Sequence, residues 1–450
     1  MILKWKDVCQ EPERGRSKWG SHVQRMLGLC VAMHVFAEQQ MCLHEDMHVY
    51  VCQNLDIQAQ KHTPALITEF PCEPVFSSAP IYQSKVHARG PAIMDLLYSS
   101  GVSSTSYLQT HYSHNQGYFL LVSMATDLRN TFFLLFPIWF HVQQAEAVKL
   151  VWVAVVGDWV NLMLKWLLFG DRPYWWVQET GFYGNSSQPL IEQFPMTCET
   201  GPGSPSGHAM GAAAVYYTMM SSLLATVLKK EGQQIRRWCV RVSLWTLFWC
   251  VQVCVCLSRV FVAAHFPHQV ITGVIIGILV ADSLSRTQQI FKACLRSYVL
   301  TSLLLLSLAL LLYLCLQLAG VNLLWSVEKA RRWCRQAEWV SVDTSPLASL
   351  FRNSGTLMGL GLGLHSPLHV HSSETVVSRG VDGAIYKGIC LSATLVVLQL
   401  FDSAFQPPIH SGALFYLLSF CKSATVPLTT VAIVPYCVTT ALKYKREKLL

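Results

Sequence analysis

Charged side chains are scarce in this chain. Asp, Glu, Lys and Arg together make up 13% of its 450 residues, whereas an ordinary soluble domain carries roughly a quarter. The hydrophobic fraction is 52% and the mean hydropathy is +0.35. These values exclude an ordinary water-soluble protein and predict that most of the chain lies in lipid. The net charge of +8 does not indicate a nucleic-acid partner, because the basic residues stand in short connections between apolar runs.

The first part of the chain lacks an apolar run long enough to cross a membrane. A short apolar stretch after Arg25 faintly resembles a signal peptide. A removed signal peptide, a disordered extension and a mistaken upstream start are all compatible with this composition, and Met94 favours the last. We therefore predict an N-terminal extension over 1–93, a membrane domain over 94–442 and a basic tail over 443–450.

Cysteine is present but mostly where a disulfide framework would not place it. The chain has 16 cysteines. Most of them lie within apolar stretches, where cysteine behaves as a small buried hydrophobic residue. Cys198 is the loop cysteine worth testing for a disulfide.

Apolar windows of about 20 residues, the length that a transmembrane helix needs, recur along the rest of the chain. They predict an all-α fold, a polytopic membrane helical bundle with about nine transmembrane helices. The windows are 118–139, 147–168, 209–228, 238–257, 267–285, 298–319, 346–364, 384–402 and 413–441. The seventh window is rich in glycine, which suits close helix contact as well as spanning. The last contains Pro427 and Pro435, so it is either kinked or wrongly bounded.

Basic residues predict which ends of the spans face the cytosol. Clusters follow the third and fifth predicted spans and close the chain. If these clusters are cytosolic, the C-terminus is cytosolic and the 169–208 loop is lumenal. That loop contains a glycosylation sequon at Asn185, which could be used only on the lumenal side. The basic loop after the sixth span, with Lys329 and Arg331, counts against the same rule.

Two cationic residues, Lys165 and Arg172, end the second predicted span. Seven residues are nearly two helical turns, so both side chains share one face of the helix. Asp158, a further seven residues back, is a candidate counter-ion. Ionisable groups at membrane depth are costly and indicate function, although a pair that snorkels to the interface would leave the same pattern.

The third predicted span opens with Pro205-Ser206-Gly207-His208. Pro and Ser ahead of an apolar run mark the start of a helix. The free backbone N–H groups there, helped by glycine, form an anion site. His208 would then lie beside the bound anion, although a helix cap with a bystander histidine remains an alternative.

Arg259 and His265 flank the turn between the fourth and fifth predicted spans. Pro267 favours the first turn of a new helix, so the arginine ends one span and the histidine opens the next. His265 and His268 could suggest a metal pair, but no further ligands cluster nearby in the sequence, and we predict no metal. All three segments fall on the same side of the membrane, and this convergence predicts a single anion site.

Taken in order, Lys-x6-Arg-Pro, Pro-Ser-Gly-His and Ser-Arg-x5-His resemble the signature of the type 2 phosphatidic acid phosphatase superfamily. That superfamily includes lipid phosphatases, bacterial acid phosphatases and vanadium haloperoxidases. Longer stretches are similar to its glucose-6-phosphatase branch: 127–130, 136–141, 172–177, 197–211, 256–269 and 419–423. The resemblance covers roughly 94–442, so the membrane domain is expected to be a phosphatase domain.

The resemblance implies a role for each motif residue. His265 would be the nucleophile that takes the phosphoryl group, and His208 would be the proton donor to the departing sugar oxygen. The phosphate oxygens would be held by Lys165, Arg172, Arg259 and the backbone around Ser206 and Gly207. Asn185 matches the glycosylated position of the family. Neither a metal nor another cofactor is implied.

The group that orients the nucleophilic histidine differs from the wider superfamily, which has an aspartate four residues later. Gln269 stands there in this chain, as it does in the glucose-6-phosphatase branch. The orienting hydrogen bond would come from the Gln269 oxygen, a backbone carbonyl or another span. Asp127 is predicted to buttress a phosphate-binding arginine. The neighbouring cations and the anion shift the histidine pKa values in opposite directions, and the sequence leaves their balance open.

By resemblance, the chain would be a phosphoric monoester hydrolase that converts glucose 6-phosphate to glucose and inorganic phosphate through a phosphohistidine intermediate. Its site would face the lumen of the endoplasmic reticulum, within a multi-pass protein surrounded by membrane lipid, and would serve gluconeogenesis and glucose homeostasis. A lumenal site for a cytosolic metabolite requires a glucose-6-phosphate transporter as a partner. Aromatic residues of the lumenal loop, Trp175 among them, could close over the sugar. A lipid phosphate as substrate, and a catalytically weak paralogue acting as a binding subunit, are the alternatives.

Overall fold

The computed structural model describes residues 92–184, 188–230, 233–379, 383–408 and 412–447. The predicted N-terminal extension falls outside these ranges apart from its last two residues, and Asn185 falls outside them as well. Within the described residues the chain forms helices joined by loops and contains no β-strand. The predicted all-α fold is confirmed.

Sixteen α-helices follow one another along the described chain. They are α1 Ala92–His111, α2 Gln116–Ala125, α3 Leu128–Asn130, α4 Phe136–Val142, α5 Gln144–Leu168, α6 Pro173–Glu179, α7 Gly207–Lys230, α8 Gln234–Phe261, α9 Pro267–Ser285, α10 Leu295–Leu318, α11 Trp325–Trp333, α12 Pro346–Leu364, α13 Pro367–Arg379, α14 Gly383–Ala404, α15 Gly412–Leu428 and α16 Val434–Glu447. Two π-helical segments, Thr131–Leu135 and Thr429–Ile433, join α3 to α4 and α15 to α16.

Seven helical segments of the described chain are long and apolar enough to cross a membrane. An eighth span is formed if Ser113–Ala125 and Leu128–Val142, which meet at a bend of 54°, are taken together. The predicted count of nine is therefore not confirmed. Eight of the nine predicted windows correspond to the seven segments and the bent pair. The ninth, the glycine-rich window 346–364, folds as α12 but is not among them. The window with two prolines does pass, as Gly412–Lys443, and its π segment lies between Pro427 and Pro435.

Helix α12 is held inside the bundle rather than against lipid. It packs along α15, with α10 and α5 on other sides. Its glycines allow this close approach: a Cβ at Gly359 would meet the backbone of Ala424, with the carbonyl carbon only 2.7 Å away. Small residues at such contacts let two helix backbones come together within a membrane. The glycine pattern thus serves helix contact, which was one of its two interpretations.

Replacing Gly359 by Ala should destabilise the protein. The added methyl group has to push α12 away from α15, and overpacking of this kind costs about 1–3 kcal/mol. Thermal unfolding of the detergent-solubilised protein measures the effect. Gly388→Ala in α14 is the control, because a Cβ there meets nothing within 4 Å. Equal unfolding temperatures for the two variants would contradict the proposed role of Gly359.

The bundle brings its three motifs to one end. Helix α7 packs against α5, α8 and α9. The end of α5, the start of α7 and the α8–α9 turn therefore meet at the same end of the bundle. Pro173 and Pro267 each stand at the first position of a helix, where a missing N–H costs no hydrogen bond. Each proline begins a new helix directly after a sharp turn. Arg172 and His265 therefore lie just before the first turns of α6 and α9.

Candidate active site

The loop that precedes α7 is anchored on both sides by backbone hydrogen bonds. The Gly203 N–H donates to the Gly170 carbonyl at 2.6 Å, and the Ser206 N–H donates to the Gln269 carbonyl at 3.1 Å. Gly203 has no room for a side chain, because a Cβ there would lie 3.0 Å from both polar atoms of the Gln269 amide. The segment 203–208 is thus fixed between the first and third motifs.

Arg172 is completely buried, and its guanidinium is held by backbone carbonyls. Nε donates to Gly201 at 2.8 Å, Nη1 to Ala264 at 3.1 Å and Nη2 to Pro202 at 3.3 Å. Three acceptors fix the plane of a guanidinium, which is why arginine serves here and a flexible ammonium would not. Arg172 therefore ties the loop before α7 to the α8–α9 turn while keeping its charge at the site.

Arg259 lies in the last turn of α8 and is also completely buried. Its Nη1 donates to the Ser123 hydroxyl at 2.6 Å, and its Nη2 pairs with the Glu199 carboxylate. The Arg259 carbonyl accepts hydrogen bonds from the Ala264 and His265 N–H groups. The same residue thus supplies a cation and shapes the turn that carries His265.

His265 is oriented by two acceptors on one ring nitrogen. Nδ1 lies 2.8 Å from the Gly203 carbonyl and 3.3 Å from Oε1 of Gln269. A carbonyl accepts only from a protonated nitrogen, so Nδ1 carries the proton and Nε2 keeps its lone pair. The Gln269 amide is itself fixed, because its Nε2 donates to the Asp171 carbonyl at 2.8 Å. Two of the three predicted sources of orientation, the Gln269 oxygen and a backbone carbonyl, therefore act together.

The environment of His265 favours its neutral form. Burial lowers the pKa of the imidazole well below its ordinary value, and the Arg172 and Arg259 guanidinium groups lower it further, against the opposing charge of Glu199. Nε2 forms no hydrogen bond within the described structure. The sequence left open whether the cations or the anion would dominate the pKa of this histidine. In the structure burial and the cations dominate, so Nε2 is free and unprotonated, the form in which histidine is a nucleophile.

His208 lies in the first turn of α7, on the other side of the same space. Its Nδ1 is 3.6 Å from Oε1 of Glu199, and its side chain is 20% exposed. The two histidines therefore face the same carboxylate, His208 from the start of α7 and His265 from the α8–α9 turn, and His208 has more access to solvent than His265, whose side chain is fully buried.

Glu199 is the residue of this site that sequence reasoning missed. Its carboxylate lies 3.0 Å from Arg172 Nη1, pairs with Arg259, and stands 3.8 Å from His265 Nε2. Burial alone would raise the pKa of this carboxyl, but Arg259 and Arg172 outweigh it and hold the pKa well below its ordinary value. An acidic residue in a long loop has no periodicity that reveals it. The only signal was its place within the stretch 197–211.

Lys165, near the end of α5, is the third cation of the site, after Arg172 and Arg259. Its Nζ lies 3.7 and 4.0 Å from the positions that a Cβ would take at Gly201 and Gly207. The ammonium is therefore next to the start of α7. Asp158, the candidate counter-ion, accepts hydrogen bonds from Ser349 and Asn353 of α12.

The remaining predicted site residues lie at different distances from this centre. Asp127 caps α3, where its carboxylate accepts from the Arg129 N–H at 2.9 Å. Among the described residues the Arg259 guanidinium contacts Ser123 and Glu199, so the expected buttress by Asp127 is not formed as a direct contact. Among the described residues no group of His, Cys, Asp and Glu could hold a metal ion.

Helix α11 packs against α6, which belongs to the 169–208 loop. Helix α11 carries Lys329, whose ammonium lies 3.2 Å from Asp171 and 2.9 Å from Glu179. These two carboxylates raise the Lys329 pKa against the effect of burial. A disulfide joins Cys198 to Cys334. The basic segment that counted against the charge rule thus lies beside the 169–208 loop, where two carboxylates balance the charge of Lys329.

The aromatic residues of the 169–208 loop form core rather than a sugar platform. Trp175 is fully buried, and its Nε1 donates to Asp171 at 2.8 Å. Tyr174 and Trp176 are also buried and pack with Phe266 and neighbouring apolar residues. The hypothesis that this group closes over a sugar is therefore wrong for its three buried members.

Known proteins of the same pattern align along most of this chain. Residues 146–292 match the model of the PAP2 superfamily. The chain is 52% identical to glucose-6-phosphatase catalytic subunit 1 of Mus musculus over 357 residues, which are 79% of this chain and 99% of that protein. It is 46% identical to glucose-6-phosphatase 2 of Homo sapiens, again over 79% and 99% of the two chains. No solved structure gives a significant match.

The alignments agree with the geometry. They extend over nearly the whole length of the relatives, and the superfamily match includes all three motifs. With two arginines, two histidines and a lysine gathered around one anion position, the chain belongs to the family of glucose-6-phosphatase catalytic subunits, phosphatases of the PAP2 superfamily.

Proposed function

We propose that this chain hydrolyses glucose 6-phosphate to glucose and inorganic phosphate through a phosphohistidine intermediate. One observation carries the proposal. A single carboxylate, that of Glu199, contacts Arg172 and Arg259 and lies within 4 Å of both histidines. An anion at this point is therefore shared by four of the residues that the resemblance assigns to phosphate chemistry. The names of the relatives direct the choice of sugar phosphate.

The first half-reaction transfers the phosphoryl group to His265. The Nε2 lone pair attacks phosphorus as the bond to the sugar oxygen breaks, while His208 donates a proton to that oxygen and glucose leaves. The Nδ1 hydrogen bond to Gly203 supports this assignment, because it leaves Nε2 as the free nitrogen. Proton donation of this kind contributes about 10²- to 10⁴-fold.

The second half-reaction returns the enzyme to its starting state. Water attacks phosphorus, the N–P bond to His265 breaks, and His208 takes a proton from the water. Inorganic phosphate is released. In both steps the arginines, Lys165 and the backbone at Ser206 and Gly207 stabilise charge on the equatorial phosphate oxygens. These fixed cations do the work that a metal ion does in other phosphatases.

We assign the site to the lumen of the endoplasmic reticulum. The predicted cytosolic clusters and the sequon at Asn185 support this orientation. The disulfide between Cys198 and Cys334 supports it too, since disulfides persist in oxidising compartments. The C-terminus would then be cytosolic. A lumenal site for a cytosolic sugar phosphate needs a glucose-6-phosphate transporter as a partner.

The test is phosphate release by microsomes that contain the expressed chain. With glucose 6-phosphate we expect activity that rises when detergent opens the vesicles, because permeabilisation replaces the transporter. Phosphatidic acid in the same detergent should be hydrolysed with a much lower kcat/KM. Microsomes without the chain are the control. Preference for phosphatidic acid would make it a lipid phosphatase, and hydrolysis of neither substrate would make it a binding subunit.

A further inference from the structure

The contacts of Glu199 raise a conflict with substrate binding. One carboxylate oxygen, Oε2, lies 3.0 Å from Nη1 of Arg172 and 3.8 Å from Nε2 of His265. The other oxygen pairs with the guanidinium of Arg259. The proposed reaction needs a phosphorus atom in front of that nitrogen and phosphate oxygens on those guanidinium groups. Two anions cannot share this position, because like charges at contact distance repel strongly where water is excluded.

The backbone of Glu199 cannot move far to resolve the conflict. Cys198 is joined to Cys334 by the disulfide. On the other side, the Thr200 N–H donates to the Thr344 hydroxyl at 3.2 Å, and the Thr200 carbonyl accepts from Ser326 at 2.9 Å. These three attachments hold the loop between α11 and the turn Val342–Thr344. What can move is the side chain.

We propose that Glu199 is an intramolecular competitor for the phosphate site. Substrate displaces its carboxylate from the two arginines by rotation of the side chain, and the same carboxylate returns as inorganic phosphate leaves. Because the clamped backbone keeps the carboxylate close, it competes at a high effective concentration. This inference rests on the proposed function, since it takes Arg172 and Arg259 as the groups that bind phosphate.

Glu199 also neutralises the positive charge of the site when no phosphate is bound. Two buried guanidinium groups without an anion are strongly destabilising, and Glu199 supplies that anion before phosphate binds. Its low pKa means that the carboxylate is ionised at neutral pH. Glu199 therefore stabilises the unliganded site and weakens phosphate binding through the same contacts. It is a positioning residue for the cations rather than a reacting group.

The test compares Glu199→Gln with the wild type, using inorganic phosphate as the probe. Glutamine keeps the shape of the glutamate side chain but carries no charge. The inhibition constant of phosphate should therefore fall about tenfold or more. With slower release of phosphate, KM for glucose 6-phosphate and kcat should both fall. Glu192→Gln is the matched control, since Glu192 is an exposed residue of the same loop. Equal or weaker phosphate inhibition of Glu199→Gln would overturn the proposal.

A second measurement covers the case in which Glu199→Gln is unstable. The variant should unfold at a lower temperature than the wild type in buffer without phosphate. Added phosphate should raise its unfolding temperature far more than that of the wild type, because it restores the missing negative charge. A variant that phosphate does not rescue would refute the inference. This readout needs no turnover, so it stands or fails separately from hydrolysis of glucose 6-phosphate.

Discussion

Replacing His265 by Ala is expected to abolish both phosphate release and the covalent intermediate. Nε2 is the free nitrogen of that ring and lies 3.8 Å from the anion position, since Nδ1 is engaged by Gly203. The loss should be on the order of 10³-fold or more, as for removal of other catalytic nucleophiles. Rapid quench with ³²P-labelled glucose 6-phosphate should label the wild type with an acid-labile, base-stable phosphate and leave His265→Ala unlabelled.

The matching change at His208 separates the acid from the nucleophile. His208→Ala should lose about 10²- to 10⁴-fold in kcat on glucose 6-phosphate. An ester with a leaving group that needs no proton, such as dinitrophenyl phosphate, should recover part of the phosphorylation step in His208→Ala but none in His265→Ala. Recovery in both variants would show that the roles are wrongly assigned.

An exposed histidine serves as the control for this pair. His111, in the last turn of α1, stacks on Tyr107 away from the motifs. His111→Ala should keep wild-type labelling and turnover. A comparable loss there would point to a general effect on folding instead of to the chemistry of the site.

Replacing Arg172 by Lys should be nearly as damaging, although the charge is kept. The guanidinium uses separate N–H groups for Gly201, Pro202 and Ala264 while it also faces the anion position. An ammonium is a single point of charge and cannot reproduce that fork. Loss of one fixed donor to a developing charge costs about 10²- to 10³-fold in kcat. Steady-state hydrolysis of glucose 6-phosphate measures it.

Arg286→Lys is the control for the arginine change. Arg286 follows α9 and pairs with Asp282 at 2.7 Å, with 78% of its side chain exposed. An exposed pair of this kind contributes little, so activity and unfolding temperature should stay at the wild-type values. If Arg172→Lys also kept full activity, the phosphate would have to be held by other cations.

The two arginines and His265 depend on one another through the backbone as well as through charge. Arg172 donates to the carbonyl of Ala264, and Arg259 accepts from the N–H of His265 with its own carbonyl. Ala263 lies between them with φ of +55°, a left-handed conformation that a side chain tolerates only when its surroundings enforce it. A change at either arginine should therefore disturb the direction of the imidazole, not only the local charge.

Short-range patterns in the sequence determined much of this protein. Apolar windows other than 346–364 located the helices that are long and apolar enough to cross a membrane, because this property depends on adjacent residues alone. Pro267 predicted that a new helix, α9, begins directly after His265. The relative order of the three motifs, with the charge clusters between spans, predicted that Arg172, His208 and His265 meet at one membrane face, and the structure brings them together. Gln269 was found through the family resemblance, which assigns an orienting role to the residue four positions after His265.

Only the tertiary structure decided the features that join distant parts of the chain. Glu199 meets Arg259 across 60 residues, Cys198 meets Cys334 across 136, and Asp158 meets Asn353 across 195. No local period encodes such pairs, since each partner reads as an ordinary loop or helix residue by itself. The burial of α12 inside the bundle followed from helix packing in the same way. Packing thus decided which anion faces the two arginines, while the sequence alone had already shown where an anion would be needed.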